Sequence, residues 1–271
     1  MKHGSLFSGI GGFDLAAEWM GWDNKFHCEW NPFLQKILHY YWPNAEQFTD
    51  ITKTDFTKYA NKIDILTGGF PCQPYSQAGK RKGKNDTRHL WPHMYRAIAE
   101  IRPRWVVGEN VRGIINWNEG LVFNEIQIEM EALGYETISF LLPANAVNSP
   151  QKRNRIFFIS YTNKMAGRGL GECKNENTQQ RQKEIGGKDR CKFHLVLNGN
   201  LFEVWNDRKQ EYVCESPLIS RINGFSDRLD GIAFSKWCNE SNGAYGNSVV
   251  PQLVFMIFKA IEQYEKINQK P

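Results

Sequence analysis

The chain has 271 residues, 41% hydrophobic and 23% charged, and its 34 Lys and Arg against 29 Asp and Glu give a net charge of +5. This excludes a disordered or membrane-embedded chain, and the length suffices for one large domain or two smaller ones with a core that needs no disulfides. The longest apolar runs fall short of the roughly 20 residues of a spanning helix, no signal peptide is read in the glycine-interrupted start, and six scattered cysteines without paired spacing argue against a zinc site and for a reducing cytosol.

Along the chain, residues 5–7 end a first strand, and 13–20 read as a helix with Phe13, Ala16, Ala17 and Met20 on one face. A second strand at 25–28 precedes a helix at 32–41 that starts with proline. Further strands are expected at 63–67, 105–108, 137–142 and 156–160, with helices at 92–101 and 121–133 between them. Such alternation predicts an α/β fold, with a parallel or mostly parallel sheet covered by helices on both faces. Residues 162–191 are polar and glycine-rich, with no core-forming period, and read as a solvated insertion. Residues 193–205 look like strand, turn and strand around Asn198-Gly199-Asn200. An amphipathic helix at 251–264 restores the earlier character. The layout is one large domain interrupted by a smaller module.

Phe7-Ser8-Gly9-Ile10-Gly11-Gly12-Phe13 joins the first strand to the first helix. Glycines here let a ligand approach the backbone, and amides at a helix start face it. Glu29 follows Gly9 by 20 residues, at the end of the second strand, where an acid can accept ribose hydroxyls. Asp50-Ile51 comes where a third strand would end. Asp50 could accept from an adenine amino group while Ile51 packs the ring. Each acid alone reads as a surface residue. Together with the glycine turn they suggest an adenosine pocket, for a nicotinamide cofactor or S-adenosylmethionine.

Gly68-Gly69-Phe70-Pro71-Cys72-Gln73-Pro74-Tyr75-Ser76 follows the strand at 63–67. A free cysteine is most often a small buried hydrophobe. Here glycines and prolines fix an irregular backbone at a strand's carboxyl end, where a thiol can be an aimed nucleophile. Residues 78–88 carry five basic side chains and one acidic one, and suggest either a solvated loop or a lid whose cations meet phosphates. Glu109-Asn110-Val111 ends the strand at 105–108, and Glu109 could share a pocket with Cys72. Arg153 and Arg155 open the strand at 156–160 and should point the same way, by the period of two.

Taken together, these residues resemble the DNA cytosine-5 methyltransferase family. The motifs are Phe-Ser-Gly-Ile-Gly-Gly-Phe at 7–13, Gly-Phe-Pro-Cys-Gln-Pro-Tyr-Ser at 69–76, Glu-Asn-Val at 109–111, Gln-Lys-Arg-Asn-Arg at 151–155 and Gly-Asn-Ser-Val-Val-Pro-Gln at 246–252, in the family's order. The resemblance implies a Rossmann-like S-adenosylmethionine-dependent sheet and a small target-recognition domain. Residues 1–160 and 239–271 would form the catalytic domain, and 161–238 the recognition domain.

It also implies roles. Phe7, Gly9, Gly11, Gly12, Glu29, Trp30, Asp50, Ile51, Pro71, Leu90 and Asn247 would hold S-adenosylmethionine, which leaves as S-adenosylhomocysteine. Cys72 would be the nucleophile, Glu109 would hold the cytosine's N3 and amino group, and Arg153 and Arg155 would complete the catalytic set, the second binding the cytosine carbonyl. Ser76, Lys80, Arg81, Lys82 and Arg88 would meet DNA. No metal is implied. The expected activity is methylation of C5 of cytosine in a specific double-stranded sequence, by base flipping and addition of Cys72 to C6. A monomer in the cytoplasm, working at the nucleoid, is expected, with a restriction endonuclease as a functional, not physical, partner. The other readings are an RNA cytosine methyltransferase and a DNA-binding homologue that has lost catalysis. Tyr75 stands where the family usually has Phe, 216–230 fits its pattern loosely, and 240–243 is a poor helix sequence where the family carries a helix.

Overall fold

Short apolar runs separated by helices or long loops can return over a sheet and pair in parallel. Here β1 (Lys2–Leu6), β2 (Asp23–Cys28), β3 (Glu46–Phe48), β4 (Ile65–Gly68) and β5 (Trp105–Val111) do so, in the order β3-β2-β1-β4-β5. Two further strands, β6 (Glu136–Pro143) and β7 (Asn154–Tyr161), complete a seven-stranded sheet, with β7 lying between β5 and β6 and antiparallel to both. The link 144–153 is too short for the helical crossover that parallel pairing needs, about a dozen residues or more, so β7 turns back. The fold is α/β and Rossmann-like. The structure, a computed structural model, describes residues 1–71, 90–147, 153–162, 194–197, 200–203 and 247–268.

Period-two alternation sends the strands' side chains to two helical layers. Ile65, Trp105, Val107, Phe157 and Ile159 face α1 (Gly12–Trp19) and a last helix (Pro251–Asn268). Leu6, Phe26, Leu66, Val106, Ile156 and Phe158 face the helices Trp91–Ile101 and Leu121–Ala132. The helix Pro32–Tyr41 packs on α1 through Leu38 and Trp42 against Leu15, with Asn31 capping its start by accepting from the Phe33 amide at 2.9 Å. In chain order these helices are α1, α2 (Pro32–Tyr41), α3 (Trp91–Ile101), α4 (Leu121–Ala132) and α5 (Pro251–Asn268). Phe13, Ala16 and Ala17 are buried and Met20 packs beside them, the face read from the sequence.

Most boundaries move by one or two residues, with Phe7 falling past the end of β1, and three shifts stand out. β5 runs on to Val111, so Glu109 and Asn110 lie within the strand instead of beyond it. β3 stops at Phe48, because Asp50 turns the chain by accepting from the Thr52 amide and hydroxyl at 2.9 and 2.7 Å. α5 continues to Asn268, extended by a Glu262–Lys266 pair at 2.9 Å with no breaker in its way. The expected hairpin forms, as β8 (His194–Leu197) and β9 (Asn200–Glu203) paired antiparallel. Most of the polar stretch 162–191, and of the expected recognition domain at 161–238, lies outside the described residues.

α5 brings the chain back beside its beginning. Phe258 packs on Trp22 with ring centroids 4.6 Å apart, and the Trp105 indole N–H donates to Glu265 at 2.8 Å. Ahead of α5, residues 248–249 press on the start of α1. A Cβ on Gly12 would lie 2.7 Å from Val249 Cγ1 and 2.9 Å from the Val249 carbonyl oxygen. Gly12→Ala is expected to lose about 1–3 kcal/mol of stability in urea unfolding, by overpacking against backbone. A loss below about 0.5 kcal/mol would mean that residues 248–249 yield freely.

Candidate active site

The sheet's strand order reverses between β1 and β4, and open α/β sheets hold ligands outside the strands' carboxyl ends at such a point. The sequence places its candidate residues at this edge. After β1 the backbone turns through left-handed conformations at Phe7 (φ 52°) and Gly9 (φ 60°). Such a conformation is uncommon for a bulky non-glycine residue and is held only where the surroundings fix it. Among the described residues a Cβ at Gly9 would meet nothing within 4 Å, so they leave this side of the turn open to a ligand.

Glu29 stands across from it, just past β2. Its Oε2 accepts from the Gly9 amide and its Oε1 from the Asn31 amide, both at 2.8 Å. Burial raises its pKa, while these amides pull the other way. Each oxygen keeps a lone pair for a hydroxyl donor. Beside it Trp30 is 72% exposed, a broad apolar ring without cover. Asp50 is committed locally to Thr52, with Lys53 Nζ 3.2 Å from its other oxygen. Ile51 is buried, and Arg96 of α3 donates to the carbonyls of both Ile51 and Thr54. Phe7 and Leu90 are half-buried, while Pro71 and Asn247 are exposed.

The other half of the site is built on β4, β5 and β7. Gly68 pairs with Gly108, which sets Gly69 beside Glu109, and a Cβ on Gly69 would lie 3.3 Å from Glu109 Oε2. The Asn110 amide donates to the Phe70 carbonyl at 3.1 Å, and the Val111 amide donates to Asn110 Oδ1 at 2.8 Å. The turn leading to Cys72 is thus pinned to the strand carrying Glu109. Glu109 is buried and ion-paired with Arg155 Nε at 2.8 Å, across the antiparallel β5–β7 ladder. Burial raises the Glu109 pKa; the nearby Arg155 and Arg153 guanidiniums oppose this without cancelling it. A carboxyl whose proton affinity is raised by burial can, beside a fixed cation, donate to a heterocyclic ring when protonated and accept from it when ionised.

The two arginines add charge to the same spot but reach different partners. Arg155 faces Glu109, whereas Arg153 donates to the Ser248 carbonyl at 2.7 Å, and its Nε is buried with no hydrogen-bond partner among the described residues. Arg153 thereby ties the approach to β7 to the segment that covers Gly12. Cys72, Ser76, Lys80, Arg81, Lys82 and Arg88 lie outside the described residues. Sequence reasoning gives no role to Asn110 or Arg96. Asn110 stands inside a recognised motif, but Arg96, with Glu100 four residues on and 3.0 Å away, carries only the signature of a helix-surface ion pair. Among the described residues no group of three or more His, Cys, Asp or Glu could hold a metal ion, and no helix is long and apolar enough to cross a membrane.

The sequence profile of C-5 cytosine-specific DNA methylases matches residues 1–212. Type II methyltransferase M.Eco47II of Escherichia coli is 37% identical over 164 residues, 59% of this chain and 39% of that protein. Type II methyltransferase M.HhaI of Haemophilus parahaemolyticus is 34% identical over 163 residues, 58% of this chain and 48% of that protein. The matched part of the chain therefore spans half or less of either relative. Among solved structures, a prophage-encoded candidate DNA modification methyltransferase of E. coli superposes with a TM-score of 0.51 at 27% identity, over 60% of this chain and 47% of that one.

The raised pKa of Glu109 has a consequence for stability. Its protonated form is favoured in the fold, so its contribution is complete at low pH and is lost as pH rises through the folded pKa. Removing Arg155 takes away the cation nearest the carboxylate and steepens that loss. Arg155→Ala is expected to lose about 2 kcal/mol at pH 8 and much less at pH 5, by urea unfolding at both values. Equal losses would mean that Glu109 does not feel Arg155.

Proposed function

We propose, from the premise that the chain belongs to the C-5 cytosine-specific DNA methylase family, that it transfers a methyl group from S-adenosylmethionine to C5 of cytosine in a specific sequence of double-stranded DNA. The observation that carries this reading is the buried Glu109–Arg155 pair, on the strand next to the turn into Cys72 and at the same sheet edge as the open glycine turn. Residues 1–160 with 239–271 form the catalytic domain in this reading, and 161–238 the recognition domain.

The donor side fits an adenosine-bearing sulfonium compound, which supplies the methyl group when bound. The space over Gly9 admits a ligand against the backbone, the lone pairs left on Glu29 suit a ribose diol, and the bare face of Trp30 suits a base. Phe7, Gly11, Gly12, Asp50, Ile51, Pro71, Leu90 and Asn247 complete this wall, with Ile51 and its backbone set by Arg96.

C5 of cytosine is a weak nucleophile. The Cys72 thiolate adds to C6, and the ring electrons so released let C5 take the methyl group, whose bond to the sulfonium sulfur would break to leave S-adenosylhomocysteine. Glu109 hydrogen-bonds N3 and the amino group and takes up the charge that develops there, while Arg155 holds the carbonyl oxygen. Arg153, from its bond to Ser248, stabilises this arrangement at one remove. A base then removes the C5 proton, and the C6–sulfur bond breaks to restore the aromatic ring and free Cys72. The target is buried in a duplex, so it is extruded first, with Ser76, Lys80, Arg81, Lys82 and Arg88 meeting the DNA. The chemistry needs no metal. A monomer acting on DNA in the cytoplasm, at the nucleoid, fits the reading, with a cognate restriction endonuclease linked by function.

Cys72→Ala is expected to abolish transfer of labelled methyl groups to duplex DNA while cofactor binding, by calorimetry, stays within a few-fold. Retained turnover would remove Cys72 from the mechanism. A duplex with 5-fluorocytosine at the target should trap the wild-type protein covalently after methyl transfer, since fluorine cannot leave as a proton does. Changing Lys80, Arg81 and Lys82 together to Ala should reduce the salt slope of DNA binding by up to about 0.9 for each phosphate that these side chains neutralise. An unchanged slope would mean that they touch no phosphate.

A further inference from the structure

Beneath the glycine turn, on the α1 side of the sheet, lies a group of polar side chains that the proposed chemistry does not use. His3, Ser5, Asp14, His27 and Thr67 are all fully buried, and Ser8 nearly so. Asp14 lies in the first turn of α1. Its carboxylate accepts from the Ser5 hydroxyl at 2.9 and 3.1 Å and from His27 Nδ1 at 2.9 Å. Because the one hydroxyl hydrogen of Ser5 points to Asp14, the 2.7 Å contact between Ser5 Oγ and Ser8 Oγ is donated by Ser8. Ser8 in turn accepts from the Cys28 amide at 3.2 Å, and its own amide donates to the Cys28 carbonyl at 3.2 Å.

The chain of bonds thus runs from Asp14 through Ser5 to Ser8, and from Ser8 to the residue before Glu29. His27, the other donor to Asp14, sits on β2 two residues before Glu29. His3 backs the group from β1, bonded to Asn24 Oδ1 at 2.6 Å and Thr67 Oγ1 at 2.9 Å, while Asn24 donates to the Asp14 carbonyl at 3.0 Å. His27 Nε2 is left buried with no hydrogen-bond partner among the described residues.

Burial opposes ionisation of Asp14, yet His27, His3 and Ser5 outweigh it and hold the pKa below the usual carboxylate range. A charge sealed in a core is weak support for stability, since apolar residues of the same volume do as well. A helix start favours a carboxylate but does not require it to be sealed in or bonded to a strand serine. What this one holds is the underside of the backbone that bends through φ 52° at Phe7 and 60° at Gly9. Strained backbone persists only where directional contacts fix it.

We propose that Asp14 is a positioning residue for the cofactor: acting through Ser5 and Ser8, and through His27, it fixes the 7–9 turn and Glu29 in the geometry that S-adenosylmethionine binds. The inference rests on the cofactor reading of this edge. It is tested on the full chain by calorimetry with S-adenosylhomocysteine and by steady-state kinetics. Asp14→Asn should raise the Kd for S-adenosylhomocysteine and the KM for S-adenosylmethionine by about tenfold, the equivalent of one charge-assisted hydrogen bond. At saturating cofactor, kcat and the KM for DNA should stay close to wild type. Ser8→Ala leaves the Asp14 group intact and cuts its link to the turn; it should move Kd in the same direction, and the double variant should be no worse than Asp14→Asn alone.

An unchanged Kd in folded Asp14→Asn, or a fall in kcat at constant Kd, would overturn the proposal. If Asp14→Asn does not fold, an unchanged Kd in Ser8→Ala overturns it by itself. If wild-type protein binds no S-adenosylhomocysteine, the cofactor reading of the edge is what fails.

Discussion

An arginine at the amino end of one strand can meet a glutamate at the carboxyl end of its neighbour only when the two strands run in opposite directions. That is the relation of β7 to β5, and it puts Arg155 against Glu109. In a wholly parallel sheet Arg155 would open its strand at the opposite edge, with the sheet's full depth between them. The short link before β7 therefore does more than finish the fold. By forbidding a helical crossover, it delivers a cation to the edge where the parallel strands deliver their acids and their turns. Burial then raises the glutamate's affinity for a proton, and the two arginines oppose that rise.

The same edge is divided by the switch between β1 and β4. On one side the backbone is bent and open and its acid holds amides. On the other the backbone is pinned close and its acid holds an arginine. The pins are short-range and directional: Asn110 to the Phe70 carbonyl, Arg96 to Ile51, Arg153 to Ser248. The first two tie a loop to a strand or helix and the third ties two irregular segments together, which is how irregular backbone is kept in one shape at the rim of a sheet.

Much of this is legible in the amino-acid order. Alternating short apolar runs and amphipathic stretches announce the α/β sheet, and the faces of α1 and the span of α2 follow their side-chain pattern closely. Glycine, proline and acid positions mark the edge because such residues are rarely placed together without a backbone reason. What stays hidden depends on pairs far apart in the chain. Nothing near Asp14 reveals that Ser5 and His27 will enclose it, since a carboxylate at a helix start looks solvated from sequence. Nor does strand periodicity show that Arg153 and Arg155 part company: Arg153 precedes β7, where the period of two no longer applies.

The contact between Gly12 and Val249 joins regions at opposite ends of the described residues. A ribosome makes these residues in order, so the first glycine turn emerges long before the segment that covers it. At about 5–20 residues per second, the 237 positions between them (249 − 12) take roughly 10 to 50 seconds to translate. Until α5 emerges, the face of the sheet that α1 covers lacks its second helix, and Trp105, once made, waits for its carboxylate acceptor Glu265. The rim is thus completed only after the message between its two halves has been read, however early the glycine turn itself is made.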